Sequence, residues 1–123
     1  MTRRRPQSPA PRPLKVWPVI EERRIDGATV FLAAVERWSD AFYIRYCVWF
    51  DHDIMESHPP LRVRVRDNAG RNYTSGGSGG FSGADWVLST QRTTQPPSDE
   101  ASELEIEIAV EETSAATFRI PLV

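Results

Sequence analysis

The stretch "FYIRYCVWF", residues 42–50, alternates between two sets of side chains with a period of two residues. One face of an extended chain would carry Phe42, Ile44, Tyr46, Val48 and Phe50. Strict alternation over this length is typical of an antiparallel strand that turns one face toward a core. The stretch therefore predicts β-structure, with an opposite, outward face made of Tyr43, Arg45, Cys47 and Trp49.

Two further stretches alternate apolar residues with charges of a single sign. "LRVRVRD" (61–67) and "ELEIEIAVEE" (103–112) each place three like charges on one face, namely Arg62, Arg64 and Arg66, and Glu103, Glu105 and Glu107. Three like charges about 7 Å apart repel one another. We therefore predict that the two strands lie in one sheet, where the ladders neutralise each other. The alternative is that they lie in different sheets and only keep the protein soluble.

Weaker segments complete a β-pattern. Residues 29–38 are apolar without a clean phase, which a bulge near Ala33–Ala34 would explain. Segments 16–20 and 116–123 each contain a proline, which favours edge strands, and 86–92 forms another short strand. Short strands separated by turn signals indicate an all-β fold. We predict an immunoglobulin-like antiparallel β-sandwich of seven or eight strands.

The order of these segments resembles a known group of proteins. "SDAFYIRYCVWF", "LRVRVRDNAGRNY", "DWVLST" and "ELEIEI" follow one another as in bacterial immunoglobulin-like modules of unknown function. In those modules an L-x-V-x-x-x-D-x-x-G-R-x-Y hairpin is followed by a proline-bearing turn and an L-x-I-x-I strand. The similarity covers about residues 28–112. It implies scaffolding or recognition, and it carries no catalytic residues over.

The glycine-rich run "YTSGGSGGFSG", residues 73–83, invites comparison with a phosphate-binding loop. Such a loop needs a helix after it and usually a lysine at its end. Here a strand-like segment follows and no lysine is near. The run also matches G-x-S-x-G with Ser78 at the central position, but that motif requires a strand-to-helix turn. We therefore predict a flexible loop over one end of the sandwich.

The N-terminal residues differ in composition from the remainder of the chain. Residues 1–14 are rich in proline and arginine and predict a disordered arm, so that the β-sandwich domain would span residues 15–123. The arm could serve as a tether, as a peptide that a partner docks, or as a contact with nucleic acid. A net charge of −2 argues against nucleic-acid binding by the domain itself.

Two observations bear on the cellular setting. No apolar run approaches the roughly 20 residues that span a membrane, and Cys47 is the sole cysteine, so no internal disulfide can form. The arginines near the N-terminus are followed by prolines instead of an apolar segment, unlike a signal peptide. We expect a cytoplasmic protein without a membrane contact.

We interpret the chain as a non-catalytic recognition or structural module for a protein partner, without a cofactor. Its expected contact surface comprises Tyr43, Arg45 and Trp49 and the loop end near residues 51–58, because aromatic residues and arginine are enriched at binding hot spots. Cys47, in mid-strand, is expected to act as a small hydrophobe. The alternative is a metal-dependent, calcium-like binding domain with Asp51, Asp53 and Asp67 as ligands.

Overall fold

A computed structural model describes residues 10–111 and 114–123. These residues form nine strands, named in chain order β1 (Pro13–Ile25), β2 (Ala28–Trp38), β3 (Phe42–Phe50), β4 (Leu61–Asp67), β5 (Asn72–Tyr73), β6 (Ser75–Ser82), β7 (Trp86–Thr93), β8 (Glu103–Val110) and β9 (Ser114–Pro121). Within the described ranges there is no helix that could span a bilayer. The strands make two antiparallel sheets, ordered β1-β2-β3-β7-β6 and β5-β4-β8-β9. The prediction of an all-β antiparallel sandwich is confirmed.

One apolar core lies between the sheets. All five residues predicted to face inward from β3 are buried, and β8 alternates between buried apolar and partly exposed residues along its length. Phe42 from one sheet and Phe118 from the other have no exposed surface. Each such large apolar side chain contributes about 1.5–3 kcal/mol through its burial. The period-two pattern of the sequence therefore corresponds directly to the core.

The predicted irregularities lie where the sequence placed them. The pairing of β2 with β3 shifts register between Leu32 and Ala34, which confirms the bulge. The shift keeps Leu32 and Val35 fully buried although they are an odd number of residues apart. The proline-bearing strands β1 and β9 are edge strands, as expected.

The boundary predicted for the arm lies two residues inside the first strand. β1 begins at Pro13, and just before it the Ser39 N–H donates to the Arg12 carbonyl oxygen at 2.9 Å. The Arg12 N–H donates in return to the Ser39 hydroxyl at 3.1 Å. Most of the predicted arm, residues 1–9, lies outside the described residues.

The prediction of a flexible loop for the glycine-rich run was wrong. Its central part is β6, an edge strand that pairs with β7 from Ser75 to Ser82. Glycine permits this close approach, because a Cβ at Gly76 would lie 2.9 Å from the Thr93 carbonyl oxygen and a Cβ at Gly80 would overlap the Leu88 carbonyl oxygen. The extra strand also explains why nine strands are present instead of seven or eight.

The two charged ladders face each other, as predicted. β4 and β8 are hydrogen-bonded neighbours, and their register sets Arg64 opposite Glu107 and Arg66 opposite Glu105. The Arg66 guanidinium donates to Glu105 at 2.5 Å, and this ion pair raises the pKa of Arg66. Arg62, by contrast, lies opposite Ala109. Cross-strand charge pairs chiefly select strand neighbours and register.

We predict that Arg66 and Glu105 are energetically coupled. Arg66→Glu and Glu105→Arg should each lower the melting temperature, because each sets like charges opposite one another. The double variant should melt on the order of 1–3 °C above the sum of the two single shifts. Thermal melts of the four proteins give the coupling.

The same cycle on Arg62 and Glu103 is the matched control. These residues belong to the same ladders but sit at opposite ends of the strand pair. The change in melting temperature of the double variant should equal the sum of the changes of the two single variants. Equal coupling in both cycles would mean that overall charge, and not the cross-strand contact, explains the effect.

Candidate recognition surface

The outward face of the five-stranded sheet carries a continuous apolar surface. The strand register aligns Phe31, Cys47, Leu88 and Phe81 in one row across four strands. In the next row Trp49 lies opposite Trp86. We call the set Phe31, Trp49, Phe81, Trp86 and Leu88 the aromatic face. Phe81 is 75% exposed, Leu88 47% and Trp49 44%.

Neighbouring side chains hold the aromatic face in place. The rings of Phe31 and Trp49 are 5.9 Å apart in a tilted arrangement. Cys47 lies in the row between Phe31 and Leu88 and is only 9% exposed. Burial raises the pKa of the Cys47 thiol and outweighs a lowering by the Val48 backbone. The thiol therefore packs as a small apolar group, as the sequence predicted, and stays protonated near neutral pH.

Arg45 lies in a polar cluster beside the aromatic face. Its guanidinium forms an ion pair with Glu36, whose other oxygen accepts a hydrogen bond from the Trp38 indole N–H at 2.9 Å. The hydrogen bond from Arg45 lowers the pKa of Glu36 despite the burial of this carboxyl. Arg45 also donates to the Thr90 hydroxyl at 3.2 Å. Its charge is therefore already compensated within the protein.

The three residues predicted for partner contact lie on the same face of the sheet but do not form one contiguous surface. Tyr43 is half-buried and packs on Trp38, with ring centroids 5.0 Å apart. Trp49 belongs to the aromatic face, six residues away from Tyr43 along β3, which corresponds to about 20 Å. The structure thus places Trp49 in an exposed apolar surface, and Arg45 and Tyr43 in a polar cluster toward the other end.

The loop at residues 51–58 is anchored beside the aromatic face. Ile54 is buried, and its N–H donates to the Ala84 carbonyl at 2.7 Å. The Asp53 carboxylate accepts the Met55 N–H at 2.8 Å, which closes a tight local turn. Since Ala84 is two residues before Trp86, the loop and the aromatic face are neighbours.

Asp67, a predicted metal ligand, has its hydrogen-bonding capacity used within the protein. One carboxylate oxygen accepts the N–H groups of Ala69 at 2.9 Å and Arg71 at 3.0 Å. The other accepts the Tyr73 hydroxyl at 2.8 Å, and that hydroxyl accepts the Ser98 N–H at 3.0 Å. The carboxylate therefore ties the β4–β5 turn to the segment before β8.

The structure does not bring the three candidate metal ligands together. Asp51 follows Phe50 at one end of β3 and forms an ion pair with Arg24. Asp67 lies near the opposite end of β3. Its carboxylate accepts the Tyr73 hydroxyl, and the Tyr73 ring packs on Phe42, the first residue of β3. The length of β3 separates the two carboxylates by about 25 Å. Residues 10–111 and 114–123 hold no group of three or more metal-ligating side chains.

Four members of the aromatic face were absent from the sequence interpretation. Trp86 and Leu88 alternate with buried residues in "WVLSTQR", so their common outward face was readable in the sequence. Phe31 was hidden by the bulge in β2, and Phe81 by its position in a run interpreted as a loop. Only the strand pairings β2–β3, β3–β7 and β6–β7 reveal that these residues share one surface with Trp49.

Comparisons with known proteins inform the fold. No protein-family model and no curated protein matches the chain. Among solved structures, it is similar to a conserved domain protein from Bacillus anthracis, with a TM-score of 0.58 at 13% identity. The match covers 93% of this chain and 49% of the other, so this chain spans about half the length of that protein. At this identity the likeness shows the fold alone.

We predict that Asp67→Asn destabilises the protein by about 1–3 kcal/mol. The amide oxygen of asparagine can still accept the Ala69 and Arg71 N–H groups, but the amide nitrogen that replaces the second oxygen cannot accept the buried Tyr73 hydroxyl. Burial alone would raise the pKa of Asp67, but hydrogen bonds from Arg71, Tyr73 and Ala69 outweigh it and lower the pKa. The contribution should be complete above the unfolded pKa of about 3.9 and be lost as pH falls through the lower folded value. Urea unfolding at several pH values measures it.

Asp53→Asn is the matched control for this prediction. Asp53 accepts a single backbone N–H in an exposed turn, a role that the amide oxygen of asparagine can fill. At pH 7 the free energy of unfolding of this variant should stay within about 0.5 kcal/mol of the native value. A pH-independent difference between Asp67→Asn and the native protein would contradict the role given to the Asp67 charge.

Proposed function

We propose that this chain is a non-catalytic, immunoglobulin-like recognition module that engages a protein partner through the aromatic face and the adjoining 51–58 loop. One observation carries the proposal. Of nine exposed large apolar residues in the described ranges, four lie together on this surface: Trp49, Phe81, Trp86 and Leu88. Scattered apolar residues are common on protein surfaces, whereas a contiguous cluster indicates an interaction site.

The composition of the surface suits a protein partner. Tryptophan and other aromatic residues are enriched at interface hot spots, where they are surrounded by contacts that exclude water. The aromatic face has such a rim, since Arg45 is paired with Glu36 and Arg24 with Asp51. Because these charges are already neutralised by ion pairs within the protein, a complementary partner surface needs an apolar centre and few unpaired charges.

The loop adds an adaptable contact at one end of the surface. Met55 is 72% exposed at the tip of the turn that Asp53 closes. Methionine is unbranched and polarizable, so it fits irregular partner surfaces. The buried Ile54 fixes the position of the turn, so Met55 is presented from a rigid base. The resemblance to bacterial immunoglobulin-like modules, which implies recognition or scaffolding, supports the same proposal.

The proposal predicts where a partner can be cross-linked. A photoreactive phenylalanine analogue at position 86 should yield a cross-linked protein in cells, whereas the same analogue at position 62, on the outward face of the other sheet, should not. The captured protein is then purified for binding measurements. Cross-links from position 62 alone would contradict the proposed surface.

The purified partner allows a quantitative test. Trp49→Ala should weaken binding at least about 30-fold, which corresponds to the roughly 2 kcal/mol of a hot-spot residue. Leu14→Ala, which removes an exposed apolar side chain from the far edge strand, should change binding less than about twofold. Both variants should keep the melting temperature near that of the native protein. Equal affinities of the two variants would remove the aromatic face as the binding surface.

A further inference from the structure

β6 is an edge strand that, beyond its first two residues, lacks the devices that commonly protect an edge. Such devices include prolines, charges, bulges and short strands. β1 has Pro13, Pro18 and two register shifts, β9 has Pro121 and Arg119, and β5 has two residues. β6 reads "SGGSGGFS" and has one register shift, between Ser75 and Gly77 at its start. From Gly77 to Ser82 it pairs regularly with β7 and is exposed, without a proline or a charge. It is therefore open to pairing with another strand.

The backbone groups at this edge can be assigned from the ladder with β7. The Gly83 N–H donates to the Trp86 carbonyl oxygen at 2.9 Å. Antiparallel pairs alternate between hydrogen-bonded and non-hydrogen-bonded residues. Phe81 and Gly79 therefore bond to β7, while Ser78 and Gly80 direct their N–H and C=O groups toward the open edge.

The outward side of β6 contains a trough where side chains are missing. The trough has a volume of about 340 Å³, its floor includes Gly77 and Gly79, and its walls are Tyr43, Thr90 and Arg92. Phe81 projects from the same face of β6, four residues from Gly77, and is 75% exposed. One strand thus carries both an unfilled trough and an uncovered aromatic ring.

We propose that two copies of this chain pair through β6, antiparallel about a two-fold axis at Gly79, with each Phe81 filling the trough of the other copy. An axis at residue 79 sets residue 81 of one copy opposite residue 77 of the other. Phe81 then lies over Gly77, on the same face in both copies. The contact is self-complementary, as a two-fold interface requires.

The same register satisfies the backbone. It sets Ser78 of one copy opposite Gly80 of the other, and these are the residues whose polar groups face the open edge. Two such pairs form, one on each side of the axis, with two hydrogen bonds each in a regular ladder. An aromatic side chain over a cross-strand glycine is a favourable pairing, and β6 carries no charge that would repel its copy.

The contact is small, which determines how it should be observed. One eight-residue edge and one aromatic ring bury less than the roughly 1,200 Å² of a standard stable interface. We therefore expect association with a dissociation constant in the micromolar range or weaker, visible as a concentration dependence. The dimer would join two five-stranded sheets, cover each Phe81, and set the other members of both aromatic faces on one side. It goes beyond the proposed function, and neither depends on the other.

Gly79 offers a sharp test. A Cβ at Gly79 meets nothing within 4 Å, and its backbone does not have a positive φ, so the isolated chain should tolerate a side chain there. Gly79→Lys sets two like charges opposite each other at the two-fold axis and should abolish the dimer. Gly79→Thr, the matched control, adds a neutral β-branched side chain and should still dimerise.

The measurement is sedimentation velocity at about 1 μM to 1 mM protein. The native mass should rise from 13.9 kDa toward twice that value, Gly79→Lys should remain at 13.9 kDa, and Phe81→Ala should associate at least about tenfold more weakly. A native protein that stays monomeric throughout, or a Gly79→Lys variant that dimerises like Gly79→Thr, would overturn the proposal. So would a dimer that Trp49→Ala abolishes and Gly79→Lys does not.

Discussion

Two sheets share one apolar core, to which Phe42 contributes from one sheet and Phe118 from the other. This packing orients the remainder of the molecule, because successive residues of a strand point to opposite faces. Once Ile44, Tyr46 and Val48 are buried, the residues between them face outward. Trp49 is therefore exposed because of the core, and the same holds for the arginine and glutamate ladders on the other sheet. The residues buried in the core therefore determine which residues each sheet exposes on its outer face.

The glycine-rich strand adds a second constraint on the five-stranded sheet. β6 lies close to β7 because glycines face the Leu88 and Thr93 carbonyl groups, where a Cβ would collide. β6 adds one strand to the sheet but adds no side chain to the core, since it is exposed along its whole length. Its addition brings Phe81 to Leu88 and completes the aromatic face. It also leaves the sheet with an edge that bears neither charge nor proline. The proposed partner surface and the proposed self-association both depend on this strand.

Much of this arrangement was predictable from the sequence, and the exceptions have physical reasons. Alternation identified the inward face of β3, and the opposed charges of Arg66 and Glu105 identified β4 and β8 as neighbours. The period-two pattern does not identify β6, because this strand is held by backbone pairing with β7 and its glycines and serines do not alternate between apolar and polar side chains. The neighbours of Trp49 depend on which strands pair, and this is set by the whole topology and not by the local sequence. The strand topology also places Asp51 and Asp67 near opposite ends of β3, which the local sequence does not show.

Amide hydrogen exchange of β6 tests the central claim, that the glycine-rich run is a paired edge strand. In dilute protein, where self-association is negligible, NMR should show slow exchange at Gly79 and Phe81, whose N–H groups bond to β7. Ser78 and Gly80, whose N–H groups face the open edge, should exchange much faster. This alternation over four successive residues is the signature of an edge strand. Uniformly fast exchange from Ser78 to Phe81 would show a mobile loop and would contradict the account.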